Sequence, residues 1–361
     1  MKIGKATREY ETWLGERLTL VEPDVRLKHE RMREDRFAFL RATYYRWAQR
    51  WPDLCPDLAS AAPVLAVGDL HVENFGTWRD AEGRLVWGIN DFDEAWRLPF
   101  THDLVRLAAS ADLAIAGEHL AIQPAVAAEA ILDGYRACLD AGGRPFVLAE
   151  SHETLRAMAT HRLHEPGRFW ERLAQLPTVR ANVPAGARRA LDRMMPERNL
   201  TFRIAHRIAG LGSLGRQRYV GIADWHGGSV AREAKALAPS ACFWAQGGRS
   251  AKIRYQDVLD AAVRCRDPYV RLQRKWIVRR LAPDCSRIEL AALPRERDEL
   301  RLLHAMGWET ANVHLGSGRR RDLVAGLKGR RRGWLARAAR LMEGAVGEDW
   351  ADWRKTGDRA A

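Results

Sequence analysis

The sequence predicts an α+β fold in two lobes, one mainly helical and one built on a small antiparallel sheet. Three observations carry that expectation. Helical patterns run from Glu30 to Trp51, from Asp103 to Ile115 and from Arg295 to His314. Short apolar runs bounded by turn residues, at Val64 to Val67, Phe75 to Trp78 and Leu85 to Ile89, read as strands set within the helical part. A second group of strand-like runs, Arg216 to Ile222, Val230 to Leu237, Trp276 to Leu281 and Arg287 to Leu293, lies in the later half. At 361 residues the chain can bury a substantial core.

Taken in order, the first helical stretch places Met32, Phe37, Leu40, Tyr44 and Trp47 along one face, and Pro52 is expected to stop it. The strand Val64 to Val67 ends at Gly68 and delivers Asp69 into a loop. Phe75 to Trp78 and Leu85 to Ile89, joined by the turn-rich segment Arg79 to Arg84, form a hairpin that folds Asp91 back toward Asn74. Glu94 to Phe100 reads as an irregular connection. Leu104, Leu107, Ala108, Ala111 and Ile115 recur at helical spacing, with Asp103 in the first turn. Residues 151–200 read as helical with proline breaks, and His152, His161 and His164 there read as surface residues. Trp334, Leu335, Ala338, Ala339, Leu341 and Met342 mark an amphipathic tail helix that docks on the body.

Two acidic motifs give this frame a chemistry. Gly68-Asp69-Leu70-His71-Val72-Glu73-Asn74 has the D-x-x-x-x-N spacing of a kinase catalytic loop. Asn90-Asp91-Phe92-Asp93 resembles D-F-G with its glycine replaced by Asp93. Phosphoryl transfer needs a carboxylate to orient the acceptor hydroxyl and take its proton, and an amide oxygen and second carboxylate to hold magnesium against the triphosphate. Asp69, Asn74 and Asp91 fill those roles, His71 joins the catalytic set, and Asp93 is a candidate for a second ion. Gly68-Asp69-Leu70-His71 also looks like the opening metal motif of binuclear metallophosphatases, but the later G-D-x-x-D-R-G and G-N-H-D/E strings do not occur.

The nucleotide elements come later. Gly210-Leu211-Gly212-Ser213-Leu214-Gly215 is a G-x-G-x-x-G followed by a strand pattern, which disfavours a dinucleotide fold and suits a phosphate-covering loop. Gly210, Gly212, Ser213 and Gly215 are the candidate phosphate contacts, and Lys235 on the next strand would neutralise the α and β phosphates. Tyr255 to Lys275 reads as the helix packed on this sheet. Leu290 to Leu293, and Leu290 and Leu293 in particular, stand where a hinge would touch adenine. Kinases pair the strand lysine with a helix glutamate, yet no glutamate lies between Lys235 and Glu289. The alternatives are Asp257 or Asp260, Glu233 from the same strand as Lys235, or loss of the pairing.

The order G-D-x-H-x-x-N, then D-F-D, then Asp103-Leu104 near a helix start is similar to the aminoglycoside and choline phosphotransferase group. That resemblance implies a structural role for Asp103 beneath the catalytic loop. Over about half its length the chain also resembles a bacterial family, domain of unknown function 2252 (DUF2252). The matching segments are Phe37 to Arg41, Gly68 to Gly76, Asn90 to Glu94, Asp103 to Ser110, Gly210 to Gly215 and Gly307 to Gly318. The expected architecture is a two-lobed protein-kinase-like fold, circularly permuted. Residues 1–200 form the helical lobe with the catalytic loop and metal motif, 201–293 the nucleotide-binding β lobe, and 294–361 the hinge and returning helices. Cutting a fold at an exposed connection preserves its contacts.

The implied ligands are ATP and Mg2+, with an acceptor hydroxyl on a small molecule or a protein. Adenylyl transfer or nucleotide binding without catalysis is the alternative. A formal charge of +13, with clusters at Arg319 to Arg321, Lys328 to Arg332 and Arg271 to Arg280, raises nucleic-acid binding as a competing function, though no helix-turn-helix, zinc or stacking motif accompanies it. Five scattered cysteines without C-x-x-C pairing indicate neither zinc nor a disulfide framework. With no apolar leader and no segment fit to span a bilayer, a cytoplasmic location is expected.

Overall fold

The computed structural model describes residues 1–160, 166–179, 182–247, 251–285 and 296–357. It is an α+β architecture with three antiparallel sheets. The first pairs β1 (Pro63–Ala66) with β4 (Trp96–Pro99). The second has the order β2 (Phe75–Arg79), β3 (Leu85–Ile89), β5 (Phe146–Val147), with Phe75 opposite Ile89. The third has five strands in the order β6 (Arg203–His206), β7 (Arg218–Trp225), β8 (Gly228–Ala236), β10 (Trp276–Leu281), β9 (Arg271–Gln273). His226 and Gly227, both at positive φ, make the two-residue turn between β7 and β8, the geometry that matches strand twist in a hairpin.

The helices pack around the two smaller sheets. Helix Phe100–Ala116 is buried from Phe100 to Ala114, so it forms the centre of the body rather than a surface element. Helix Pro124–Ala141 crosses helix Glu296–Leu315 with almost no space between the backbones. A Cβ on Gly134 would collide with the carbonyl of His304, and one on Gly307 with the carbonyl of Ile131. The tail helix Trp334–Gly357 buries Trp334, Leu335, Ala338, Ala339 and Met342. Among the described residues no helix is long and apolar enough to cross a membrane.

Four local expectations are corrected. The stretch Glu30 to Trp51 is divided among helices Glu22–Glu34, Arg36–Ala42 and Tyr44–Leu54. Asp35 turns extended and its carboxylate accepts from the Ala38 amide at 2.7 Å, a helix cap that periodicity alone cannot reveal. Pro52 sits inside the last of these helices. The stop comes at Cys55, which precedes Pro56 and is driven out of the helical region. Trp96 to Pro99 is a strand rather than an irregular link, because β1 offers it an edge. The helix from Tyr255 ends at Ala261, where the amide of Val263 turns away to the carbonyl of Asn312, and β9 replaces its expected continuation. The expected strand Arg287 to Leu293, with Leu290 and Leu293, lies outside the described residues.

Because the backbone carbonyls at the Gly134–Gly307 crossing cannot retreat without separating the helices, Gly307→Ala is expected to lower stability by about 1–3 kcal/mol. Urea unfolding of both proteins measures the difference.

Candidate functional site

The loop after β1 is held from below by Asp103. Its carboxylate accepts from the amides of Val67 at 2.6 Å and Gly68 at 3.0 Å, directly before Asp69. Two histidines complete its shell, His102 Nδ1 at 3.3 Å and His314 Nε2 at 3.1 Å. Trp47 donates to His102 Nε2 at 3.1 Å, which leaves the imidazole proton on Nδ1, facing Asp103. Burial works to raise the Asp103 carboxyl, but the bonds from His102 and His314 outweigh it and hold it well below the usual carboxylate range. Gly68 sits at φ +83°, and a Cβ there would meet the carbonyl of Glu94. The approach of the acidic motifs therefore requires glycine at this position.

Asp69 is tethered through one oxygen. Arg106, fully buried, directs Nε at 3.0 Å and Nη2 onto Asp69 Oδ1, while Nη2 also donates to the carbonyl of Leu40 at 2.9 Å. The guanidinium lies between the rings of Tyr44 and Trp47, 5.0 and 4.7 Å from their centroids. Asp69 Oδ2 faces the glycine segment, 3.4 Å from where a Gly212 Cβ would stand. Burial raises the Asp69 carboxyl despite Arg106.

The β2–β3 hairpin brings the next ligand candidates alongside. The amide of Asn90 donates to the carbonyl of Asn74 at 3.0 Å and closes the hairpin mouth. Asn74 Oδ1 accepts from the His71 amide at 2.8 Å, and His71 stands edge-on to Phe37. Behind β3, Glu309 Oε1 accepts from Ile89 at 3.3 Å and Oε2 from Asn312 at 2.9 Å. Burial pushes the Glu309 carboxyl up to about 7.

Lys235 arrives from the five-stranded sheet. Its Nζ lies 3.3 Å from Asp91 Oδ2 and 2.5 Å from Asp93 Oδ2. Arg216, at the end of the glycine segment, binds Glu94 Oε1 at 2.7 Å and reaches Asp93 Oδ2 at 3.6 Å. Burial and the neighbouring Asp91 carboxylate push Asp93 up to about 6. Of the proposed substitutes for the missing glutamate, Asp257 binds Lys252 and Arg254, and Asp260 accepts from Gln256. Glu233 is surrounded by Arg218, Arg279 and Arg207. Burial acts to raise Glu233, yet those three guanidinium groups hold it well below the normal range. The counter-charges of Lys235 are Asp91 and Asp93 themselves.

The glycine segment joins β6 to β7 but does not hang free. Gly210 and Gly215 take positive φ, Leu211–Ser213 forms a single 3-10 turn, and the Ser213 hydroxyl accepts from Arg218 at 2.7 Å. A Cβ on Gly212 would press on the carbonyl of Arg41, and one on Gly215 on the side chain of Val25. These glycines thus serve close packing on the N-terminal helices, while Gly210 borders two cavities. One, of about 360 Å³, is lined by Asp91, Gly210, Arg207, Arg218, Arg264 and Arg279 with others. The other, of about 50 Å³, is lined by Asp69, His71, Asn74, Asp91, Asp93 and Gly210 to Ser213, with Tyr10, Lys28 and Arg216 opposite.

Asp69, His71, Asn74, Asp91, Asp93, Gly210, Gly212 and Ser213 therefore surround one small cavity, with Lys235 bonded to two of its carboxylates. Gly215 stands behind it against Val25. Arg106, Arg216, Glu94 and Lys28 escaped the sequence reading. Arg106 alone left a signal, as a cation amid Leu104, Val105, Leu107 and Ala108, three residues after Asp103. As hard oxygen donors, Asp91, Asp93 and Asn74 suit magnesium, and the mutual repulsion that raises Asp93 is what a divalent cation would relieve. Among the described residues no group of three or more His, Cys, Asp or Glu is arranged as a metal site by itself, so an ion here would need the amide of Asn74 or another oxygen to complete its shell.

Removing the fully buried guanidinium would leave the part-buried Asp69 unpaired and Tyr44 and Trp47 unpacked, so Arg106→Ala is expected to cost about 3 kcal/mol in urea unfolding. Glu309 supplies a pH test. Its folded value near 7 lies above its unfolded one, so its contribution is complete below about 4.5 and is lost as pH rises through 7. The Glu309 carboxyl carbon resonance should titrate near pH 7; a midpoint near 4 would refute this.

Residues 20–164 match the model of a family described as "Uncharacterized protein conserved in bacteria (DUF2252)". No curated protein and no solved structure matches the chain. The family match covers Asp69, Asn74, Asp91, Asp93 and Asp103, and supports the DUF2252 resemblance for the segment that carries the acidic half of the site.

Proposed function

We propose that this protein is an ATP- and magnesium-dependent phosphotransferase with a circularly permuted, kinase-like architecture. The observation that carries the reading is the meeting of Lys235 with Asp91 and Asp93 at the rim of the cavity that contains Asp69. A strand, a glycine segment, a strand and a lysine-bearing strand stand in consecutive antiparallel register, as a phosphate-binding sheet requires. The arginine-lined cavity of about 360 Å³ receives the nucleotide, and Asp91 divides it from the smaller acceptor cavity.

The reaction follows from this arrangement. Asp69 Oδ2 accepts the proton of the acceptor hydroxyl while Arg106 fixes the carboxylate through Oδ1. The acceptor oxygen bonds to the γ-phosphorus, the bond from that phosphorus to the β,γ-bridging oxygen breaks, and ADP leaves with the electron pair. Lys235 and the arginines of the larger cavity balance the phosphate charge. Asp91, Asp93 and Asn74 would hold magnesium, which would supply neutralisation of the developing charge. A second reading, adenylyl transfer or nucleotide binding alone, is favoured by the commitment of Lys235 to Asp91 and Asp93 rather than to a helix glutamate.

ATP labelled separately at the α and γ positions discriminates between them. Magnesium-dependent transfer of the γ label is expected, reduced by about 10²–10⁴ in Asp69→Asn and abolished in Asp91→Ala. Transfer of the α label would favour adenylyl transfer, and binding without transfer of either label would leave a nucleotide-binding protein.

A further inference from the structure

We propose that the acceptor is a small hydroxyl compound carrying an anionic group, carboxylate or phosphate, and that Lys28 anchors that group in the cavity beside Asp69. The proposal rests on the phosphotransferase reading and specifies its second substrate.

Lys28 lies on helix Glu22–Glu34 with 4% of its surface exposed and lines the small cavity. Its Nζ stands 5.5 Å from the centroid of the Tyr45 ring. Among the described residues that nitrogen has neither a hydrogen bond nor an ion pair. The cations around it are all matched: Arg41 with Glu73 at 2.8 Å, Arg216 with Glu94, Arg106 with Asp69, and Lys235 with Asp91 and Asp93. Removing an ammonium from water without a partner is costly. Burial lowers the basicity of Lys28, and the carboxylates of Glu11, Glu94 and Asp69, none of them bonded to it, offset this only in part. A chain that only needed to fill this space would gain stability from an apolar side chain. An unmatched cation facing a cavity is a receptor for an anion.

The same cavity sets the rest of the acceptor. Asp69 Oδ2 faces it and needs a hydroxyl. The space of about 50 Å³ beside Asp69 opens to solvent on one side and favours a compact compound with its hydroxyl close to its anion. A neutral polyol would leave Lys28 unmatched. A hydroxy acid or a polyol phosphate satisfies both ends at once.

Calorimetric titration with glycerol, D-glycerate and sn-glycerol 3-phosphate compares one neutral and two anionic forms of a compact hydroxyl compound. At least one anion is expected to bind about 10- to 100-fold more tightly than glycerol, the range of a hydrogen bond to a charged group. The two anionic arms separate carboxylate from phosphate. Lys28→Met should reduce that anion to the affinity of glycerol and raise the melting temperature, since a buried charge is replaced by an apolar chain of similar length. Lys28→Arg should retain part of the preference. Equal affinity for all three compounds, including no binding of any, overturns the proposal. So does a fall in melting temperature in Lys28→Met that Lys28→Arg restores, because that marks a structural cation. Labelled ATP in the same samples separates the two claims. Charge preference without γ transfer would defeat the phosphotransferase reading but not the anion site. Equally efficient γ transfer to glycerol and to both anions would defeat the anion site alone.

Discussion

The contact of Lys235 with Asp91 and Asp93 joins positions 144 residues apart along the chain, counted to Asp91. It does so where water is largely excluded. Pairs of this kind stabilise modestly in net terms, because desolvation offsets most of their attraction. Their larger effect is on geometry. Side chains alternate across a strand, so a one-residue slip of β8 would turn Lys235 to the opposite face. Asp91 and Asp93 would then share a part-buried site with only Arg216 nearby, 3.6 Å from Asp93, and Glu233 would leave Arg218, Arg279 and Arg207. The cost of either register error fixes β8 against β7 and β10, and through them the position of the glycine segment.

Much of this was legible in the sequence because it is local. The β2–β3 hairpin announces itself through two apolar runs and a turn, and the antiparallel register follows once the turn is placed. Asp103 was marked by its place at a helix start. What could not be read are partners whose choice depends on tertiary approach. Arg216 and Lys28 look like solvated cations in sequence, yet both are buried. Asp35 and Thr43 break a convincing helical period because each closes local bonds, Asp35 to the Ala38 amide and Thr43 to the Phe39 carbonyl. The strand Trp96–Pro99 was hidden for the opposite reason: it has little pattern of its own and exists because β1 presents an unpaired edge.

The missing helix glutamate has a physical explanation in the same charges. Glu233 and Lys235 point to one face of β8, two residues apart. Three arginines already saturate Glu233, so it cannot serve the lysine. The carboxylates of the β3 end supply the counter-charge instead, and no helix residue is needed to hold Lys235 in place. On the proposed reading, the phosphates of ATP and the carboxylates of Asp91 and Asp93 then compete for one ammonium, which ties nucleotide placement to the occupancy of the carboxylate pair.

Helix Glu22–Glu34 links the smaller cavity to the glycine segment. Val25 fills the space that a side chain at Gly215 would need, Asp24 accepts from His206 Nε2 at 3.0 Å on β6, and Val21 donates to the carbonyl of Gly215 at 2.8 Å. Lys28, one turn along from Val25 and Asp24, lines the smaller cavity. The helix that bears on the smaller cavity is thus the one that backs the glycine segment. Residues three and four apart share a helix face and move together. A group bound at Lys28 therefore acts on the same rigid element that sets how closely Gly210 and Gly212 approach Asp69. On the proposed reading, acceptor recognition and phosphate placement are not separate tasks, because one short helix holds the wall of the first and the backing of the second.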